Sequence, residues 1–196
     1  MWNEHNLTRQ DDERKWISRV LDGHTEEYAF LVNLYKNKIY GLLRGMGADH
    51  QDAQDLAQET FIKAYRNLAS HDRSRSFAAW LYTIAANLLR DFRRKTPYIE
   101  HRVENYAHLS AGANPEEILL KGENLNELQE VLRQLPANYR MVILLRYTND
   151  LTYEEMSEVL GVPMNKVQND LYRAKKRLKQ LLTSQEARND AVFKSR

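Results

Sequence analysis

The sequence predicts an all-α protein made of two helical domains joined by a flexible linker. Three observations carry this. The 196-residue chain holds only seven glycines and four prolines, so little interrupts its helices. Apolar residues recur at spacings of three and four over long stretches, and no stretch alternates convincingly with period two. One long stretch without periodicity, 97–115, separates two periodic blocks, 10–96 and 116–182.

The elements follow in order. The first dozen residues are polar and read as loose. Trp16, Ile17, Val20 and Leu21 mark a short helix stopping near Gly23. Thr25 is placed to cap the next, which runs to about Arg44 with Leu31, Leu34, Tyr35, Ile39, Leu42 and Leu43 inward. Gly45 and Gly47 end it. Asp49 opens the strongest helix, with Ala53, Leu56, Ala57, Phe61, Ala64, Tyr65 and Leu68 on one stripe. Asp52, Asp55 and Glu59 sit in its N-terminal half, where the helix dipole favours acids. A polar loop covers 69–76. Phe77, Trp80, Leu81, Ile84, Ala85, Leu88 and Phe92 then define another long helix, closed by Arg90, Arg93, Arg94 and Lys95 before Pro97.

After the linker, helix resumes through Ile118, Leu119, Leu125, Leu128, Val131 and Leu132 until Leu135-Pro136 breaks it. Tyr139 to Tyr147 forms a further helix. Thr152 and Glu155 have the T-x-x-E spacing of a capping box. Met156, Val159 and Leu160 share a face, and Gly161 stops the helix because glycine takes a left-handed backbone without steric cost. Pro163 suits the start of the next helix, whose inward face is Val167, Leu171, Ala174 and Leu178. The tail after Thr183 is polar.

This last pair of helices looks like a helix-turn-helix DNA reader. Asn165, Asn169, Tyr172, Arg173 and Lys176 point away from the inward face. Amides suit adenine, while Lys and Arg suit guanine or phosphate. Asn165 to Lys179 holds six basic residues against the single acid Asp170, whereas the whole chain is only +2. The bland alternative is a helical hairpin with a wet face, and the local charge favours DNA over it.

Much chemistry is missing. No run approaches the roughly 20 apolar residues that span a bilayer, and the N-terminus has no apolar signal-peptide core. With no cysteine there is no disulfide, thiol nucleophile or Cys-type zinc site. The six histidines are scattered, and no phosphate-binding glycine loop or nucleophile elbow occurs. The expectation is a cytoplasmic protein that is not an enzyme and needs no cofactor or metal.

Three segments carry a resemblance: QDAQDLAQETFIKAYRNL (51–68), FAAWLYTIAANLLRDFRRK (77–95) and LPANYRMVILLRYTNDLTYEEMSEVLGV (135–162). Together, in this order, they resemble bacterial sigma factors of the extracytoplasmic-function type, group 4 of the sigma-70 family. The resemblance implies that 10–96 is sigma region 2 and 116–182 is sigma region 4. It implies a chain that binds core RNA polymerase, directs it to promoter DNA at a specific, stress-responsive regulon and helps melt that DNA. Asp52, Asp55, Gln58 and Glu59 would dock on the clamp coiled coil of the largest polymerase subunits. The loop 69–76 and the following helix would recognise and melt the −10 element through Phe77, Trp80, Tyr82, Asn87, Arg90, Arg93 and Arg94. Of these, Trp80 lies on the apolar stripe and reads better as core, while Tyr82 and Asn87 lie off it. Asn165, Lys166, Asn169, Tyr172, Arg173 and Lys176 would read the −35 element. Where the family has Thr-Val-Lys-Ser-Arg this chain has Lys166-Val167-Gln168-Asn169-Asp170, and an acid at Asp170 would repel phosphate. The linker would thread toward the RNA exit path. The resemblance further implies an anti-sigma factor, which could hold the protein at the membrane without any membrane insertion of its own.

Two other readings share the residue evidence. A conventional helix-turn-helix regulator would use 10–96 for sensing or dimerisation and bind a duplex operator unaided, usually as a dimer. An α-helical enzyme with a DNA module would need a catalytic cluster, which the sequence does not display.

Overall fold

The computed structural model describes the backbone of residues 2–95 and 130–194 and the side chains of 10–95 and 130–184. The linker 97–115 and the helix expected over 116–129 lie outside the described residues. Every regular element among them is helical. In chain order these are α1 (Trp2–Leu21), α2 (Tyr28–Gly45), α3 (His50–Arg66), α4 (Phe77–Lys95), α5 (Ala137–Ile143), α6 (Tyr153–Leu160) and α7 (Met164–Lys194). Short 3-10 turns at Thr25–Glu27 and Leu68–Ser70 serve as connectors, and α5 runs directly into a π-turn, Leu144–Thr148.

Local chemistry explains most boundaries. Asp49 caps α3 by accepting from the Asp52 N–H at 2.7 Å. The Thr152–Glu155 capping box has both arms: Thr152 Oγ1 accepts from the Glu155 N–H, and Glu155 Oε2 accepts from the Thr152 N–H at 2.8 Å. Gly161 ends α6 at φ +64°.

Several expectations are corrected. Thr25 does not cap α2; it opens a 3-10 turn, and Glu27 precedes the helix without a side-chain capping bond to it, its carboxylate accepting from Arg19 instead. The first residues are not loose, since α1 begins at Trp2; no glycine or proline precedes Gly23 to interrupt it. The polar tail continues α7 to Lys194. Tyr65 and Tyr147, expected to pack, are exposed.

The largest difference concerns how the blocks relate. They share one continuous core rather than standing apart. Helix α4 packs on α3 along one side and on α6 along another. Gly45 lets Leu144 of the π-turn approach: a β-carbon there would lie 2.8 Å from Leu144 Cδ1. Three polar contacts cross the junction. Ser76 Oγ donates to Glu155 Oε1 at 2.5 Å, Tyr82 OH donates to Asn149 Oδ1 at 2.7 Å, and Arg140 donates to the Met46 carbonyl at 3.4 Å.

Candidate nucleic-acid interface

Helix α7 gathers the residues expected at the −35 element on one exposed face. A helix turns about 100° per residue. On that wheel Asn165, Lys166, Asn169, Tyr172, Arg173 and Lys176 fall within about 120°, opposite the buried stripe Val167, Leu171 and Ala174. All six are exposed, and Tyr172 is 70 % accessible. Asp170 is less of an obstacle than its charge suggests. It lies half-buried at the edge of the face, and Lys166 Nζ pairs with its Oδ2 at 3.1 Å.

Helix α4 divides the residues expected at the −10 element. Trp80, Asn87, Arg90 and Arg94 fall within about 80° of one another on the helical wheel. Asn87, Arg90 and Arg94 are exposed and Trp80 is half-buried. Trp80 and Asn87 line one shallow groove of about 380 Å³, together with Lys63, Asn67, Ser70 and Asp91. Trp80 is therefore a groove wall rather than plain core. Arg90 Nη1 donates to Asn87 Oδ1 at 2.8 Å, which fixes the amide.

Phe77, Tyr82 and Arg93 go elsewhere. Tyr82 is 0 % exposed, and its hydroxyl is spent on Asn149. Phe77 is buried, 5.9 Å from the Tyr35 ring and 5.7 Å from the His71 ring. Arg93 donates to the Met46 carbonyl across the α2–α3 turn. The expectation that Tyr82 shares a solvent face with Asn87 is thus corrected. Those two positions are about 140° apart on the wheel, and α6 covers the Tyr82 side.

The loop before α4 is fastened at both ends. Asp72 Oδ1 accepts from the Ser74 N–H and hydroxyl at 2.9 and 2.7 Å, which with nearby Arg75 holds its carboxyl below the usual range. His71 stacks on Trp80 with ring centroids 4.9 Å apart. Burial is the main cause that pushes the His71 imidazole below 6.5, with Arg73 adding to it and Asp72 opposing. A His neutral in the folded state and charged in the unfolded one costs stability as pH falls through 6.5. NMR titration of His71 should therefore give a midpoint below that of free imidazole, and a midpoint at or above it would contradict the stack. Behind the loop Arg14, Arg73, Arg75 and Ser74 line a cavity of about 150 Å³.

On α3, Asp55, Gln58 and Glu59 are exposed and Asp52 is half-buried. Asp55 accepts from Gln51 at 3.1 Å and Glu59 pairs with Lys63 at 3.2 Å, exposed local contacts of small energetic weight. Beside Gln58 runs a feature that sequence reasoning missed: an apolar groove of about 850 Å³ between α2 and α3, lined by Ala29, Val32, Phe61, Ile62 and Tyr65. Tyr28 floors it, donating to the Phe61 carbonyl at 2.8 Å; burial, and then Tyr65, raise its phenol well above 10. Only the apolar character of Ile62, off the main stripe, hinted at this groove.

Among the described residues there is no group of three or more His, Asp or Glu side chains that could hold a metal, and no helix long and apolar enough to cross a membrane.

Comparison with known proteins agrees with this geometry. Residues 31–97 match the family model of sigma-70 region 2, and residues 125–178 match that of sigma-70 region 4. The chain is 36 % identical over 179 residues to the ECF RNA polymerase sigma factor SigW of Bacillus subtilis, covering 86 % of this chain and 96 % of that one. It is 30 % identical to the ECF RNA polymerase sigma-E factor of Escherichia coli K12, with coverage of 86 % and 93 %. Among solved structures, CnrH in complex with the cytosolic domain of CnrY shares the fold at a TM-score of 0.68, with 24 % identity over 87 % of this chain and 97 % of that one. The sigma factor RpoE in complex with the anti-sigma factor NepR from Bartonella quintana superimposes at 0.64, with 22 % identity and coverage of 81 % and 98 %. With both conserved regions in order on one all-helical chain, the protein belongs to the extracytoplasmic-function sigma factors of the sigma-70 family.

Proposed function

We propose that this chain binds core RNA polymerase, selects promoters by reading two DNA elements, and helps separate the strands at the nearer one. It is an initiation factor and not an enzyme; the polymerase supplies the chemistry. The observation that carries the reading is the pair of exposed surfaces on α7 and α4, one built for duplex and the other for single strand.

On α7, Asn165 and Asn169 lie one turn apart at the end that enters a major groove, where amides pair with adenine. Arg173 and Lys176 continue the same face toward phosphate. On α4, Trp80 offers a ring for base stacking, Asn87 an amide for a base edge, and Arg90 and Arg94 the cations that track a backbone. Arg73 and Arg75 extend that cationic path over the loop. Phe77 and Tyr82 support the groove from inside.

Polymerase docking falls to α3. Asp55 and Glu59 present negative charge and Gln58 a neutral amide beside an apolar groove, a combination that fits a basic amphipathic coiled coil. Exchanging Asp55, Gln58 and Glu59 together for alanine should weaken binding to core polymerase with α-helical content unchanged; undiminished affinity in the folded variant would remove this assignment. An anti-sigma factor that covers the same groove would regulate the chain; the similarly folded RpoE of Bartonella quintana is seen in complex with the anti-sigma factor NepR. Such a partner could hold this cytoplasmic protein at a membrane.

The readers separate in salt. Replacing Lys176 or Arg173 should lower the slope of log affinity against log salt by about 0.9 per lost phosphate contact. Replacing Asn169 should alter sequence preference at constant slope; a slope that stays constant in the Lys176→Ala variant would count against its phosphate role.

A further inference from the structure

Asp170 stands on the reading helix, where an acid should hinder DNA binding, and its contact with Lys166 gives it a use. We propose that Asp170 is a positioning residue that holds Lys166 to a guanine of the distal promoter element and keeps it from serving as a phosphate clamp. This rests on the two-element reading above.

The helix itself does not call for this pair. Lys166 is the third residue of α7, in the turn where the dipole disfavours a cation. The acid follows the base by four residues, the less favourable order for a helical ion pair. Exposed pairs of this kind add little stability. Yet Lys166 Nζ sits 3.1 Å from Asp170 Oδ2, and the two side chains differ in exposure, 55 % for Lys166 against 14 % for Asp170. The acid is largely covered and the ammonium open to solvent, so Asp170 anchors and Lys166 reaches out.

Charge decides what Lys166 can touch. A phosphate on its ammonium would lie close to the Asp170 carboxylate, like charge against like, and that repulsion offsets the attraction. The edge of a base carries no net charge and meets no such opposition. An ammonium has three donors. One is spent on Asp170, which leaves two, and guanine shows two acceptors in the major groove, O6 and N7. Thymine offers one acceptor beside a methyl group, and adenine sets a donor beside its N7. Guanine is therefore the base that suits. Depth agrees. The first residues of a recognition helix contact base edges. Lys166 lies at that end, seven and ten residues before Arg173 and Lys176, or about 10 and 15 Å along the axis. Among the described residues neither Arg173 nor Lys176 pairs with an acid, so both keep their charge for phosphate.

Base preference and salt dependence together test this. Holoenzyme assembled from core polymerase and the full chain is bound to promoters with the distal element randomised, and affinities are read over a range of salt. The wild-type protein should select guanine at one distal position. Asp170→Ala should relax that preference about tenfold, the scale of one well-placed base contact. It should also steepen the slope of log affinity against log salt by about 0.9, because the released ammonium can take a phosphate. Replacing Lys166 and Asp170 together with alanine should abolish the preference at the wild-type slope, since the pair carries no net charge. Circular dichroism checks that the variants keep their helices; should Asp170→Ala fail to fold, Asp170→Asn keeps the shape, loses the charge and takes its place. A guanine preference unchanged in either variant, or a double variant whose slope falls by about 0.9, would overturn the proposal. A distal motif without guanine would overturn this inference alone. Wild-type start sites with no distal motif at all would refute the two-element reading, and this inference with it.

Discussion

Replacing Asn87 with alanine should slow promoter opening about tenfold or more, while closed-complex affinity changes little. A side-chain amide on a base edge carries about 1–3 kcal/mol of discrimination, and 1.4 kcal/mol is a factor of ten. The asymmetry arises because a base edge becomes available to α4 only when the base leaves the stack. Extrusion costs a few kcal/mol, which contacts formed afterwards must offset. Asn87 is exposed and held by Arg90, so its loss leaves the core intact. Trp80→Ala should have the same kinetic signature with a larger effect, since it removes a stacking surface worth about 1–3 kcal/mol per base. It should also loosen His71, which stacks on it. Stopped-flow opening assays read both variants, and equal loss in closed and open complexes would remove the base-capture role.

Asn149→Ala should destabilise the folded chain by about 2–6 kcal/mol. Truncation removes two buried hydrogen bonds, to the Leu144 carbonyl and from the Tyr82 hydroxyl, and taking one partner from a buried bond costs about 1–3 kcal/mol each. Tyr82→Phe removes one partner only and should cost about 1 kcal/mol. Because the two side chains bond to each other, the double variant should cost less than the sum of the singles. Urea midpoints measure all three. Strict additivity would mean that Tyr82 and Asn149 are not coupled in solution, and that the modules are not joined there.

The parts of this structure legible in the sequence were those fixed by local chemistry. Thr152 and Glu155 make a capping box whatever surrounds them, and Gly161 closes the same helix. The stripe of Val167, Leu171 and Ala174 told which side of α7 faces inward, and so which residues face out. Asp49 announced α3 in the same way. What escaped was set by contacts between distant segments. Tyr82 lies off the main stripe of α4, which reads as exposed if the helix packs on one side only; α6 covers a second side. Ala78 and Ala86, also off that stripe, are buried as well, and such small residues allow close helix approach. The π-turn gives no periodic signal, because its extra residue breaks the repeat. The groove between α2 and α3 depends on Tyr28, Ile62 and Tyr65 from two helices, none conspicuous alone.

Run-off transcription with purified core polymerase on a genomic promoter library tests the central claim most directly. The account predicts that adding this chain creates a new, defined set of start sites sharing two upstream motifs. It also predicts that Asn169→Ala blurs the distal motif and Asn87→Ala depletes opening at the proximal one. Initiation unaltered by the chain, with binding to the polymerase absent, would contradict the account.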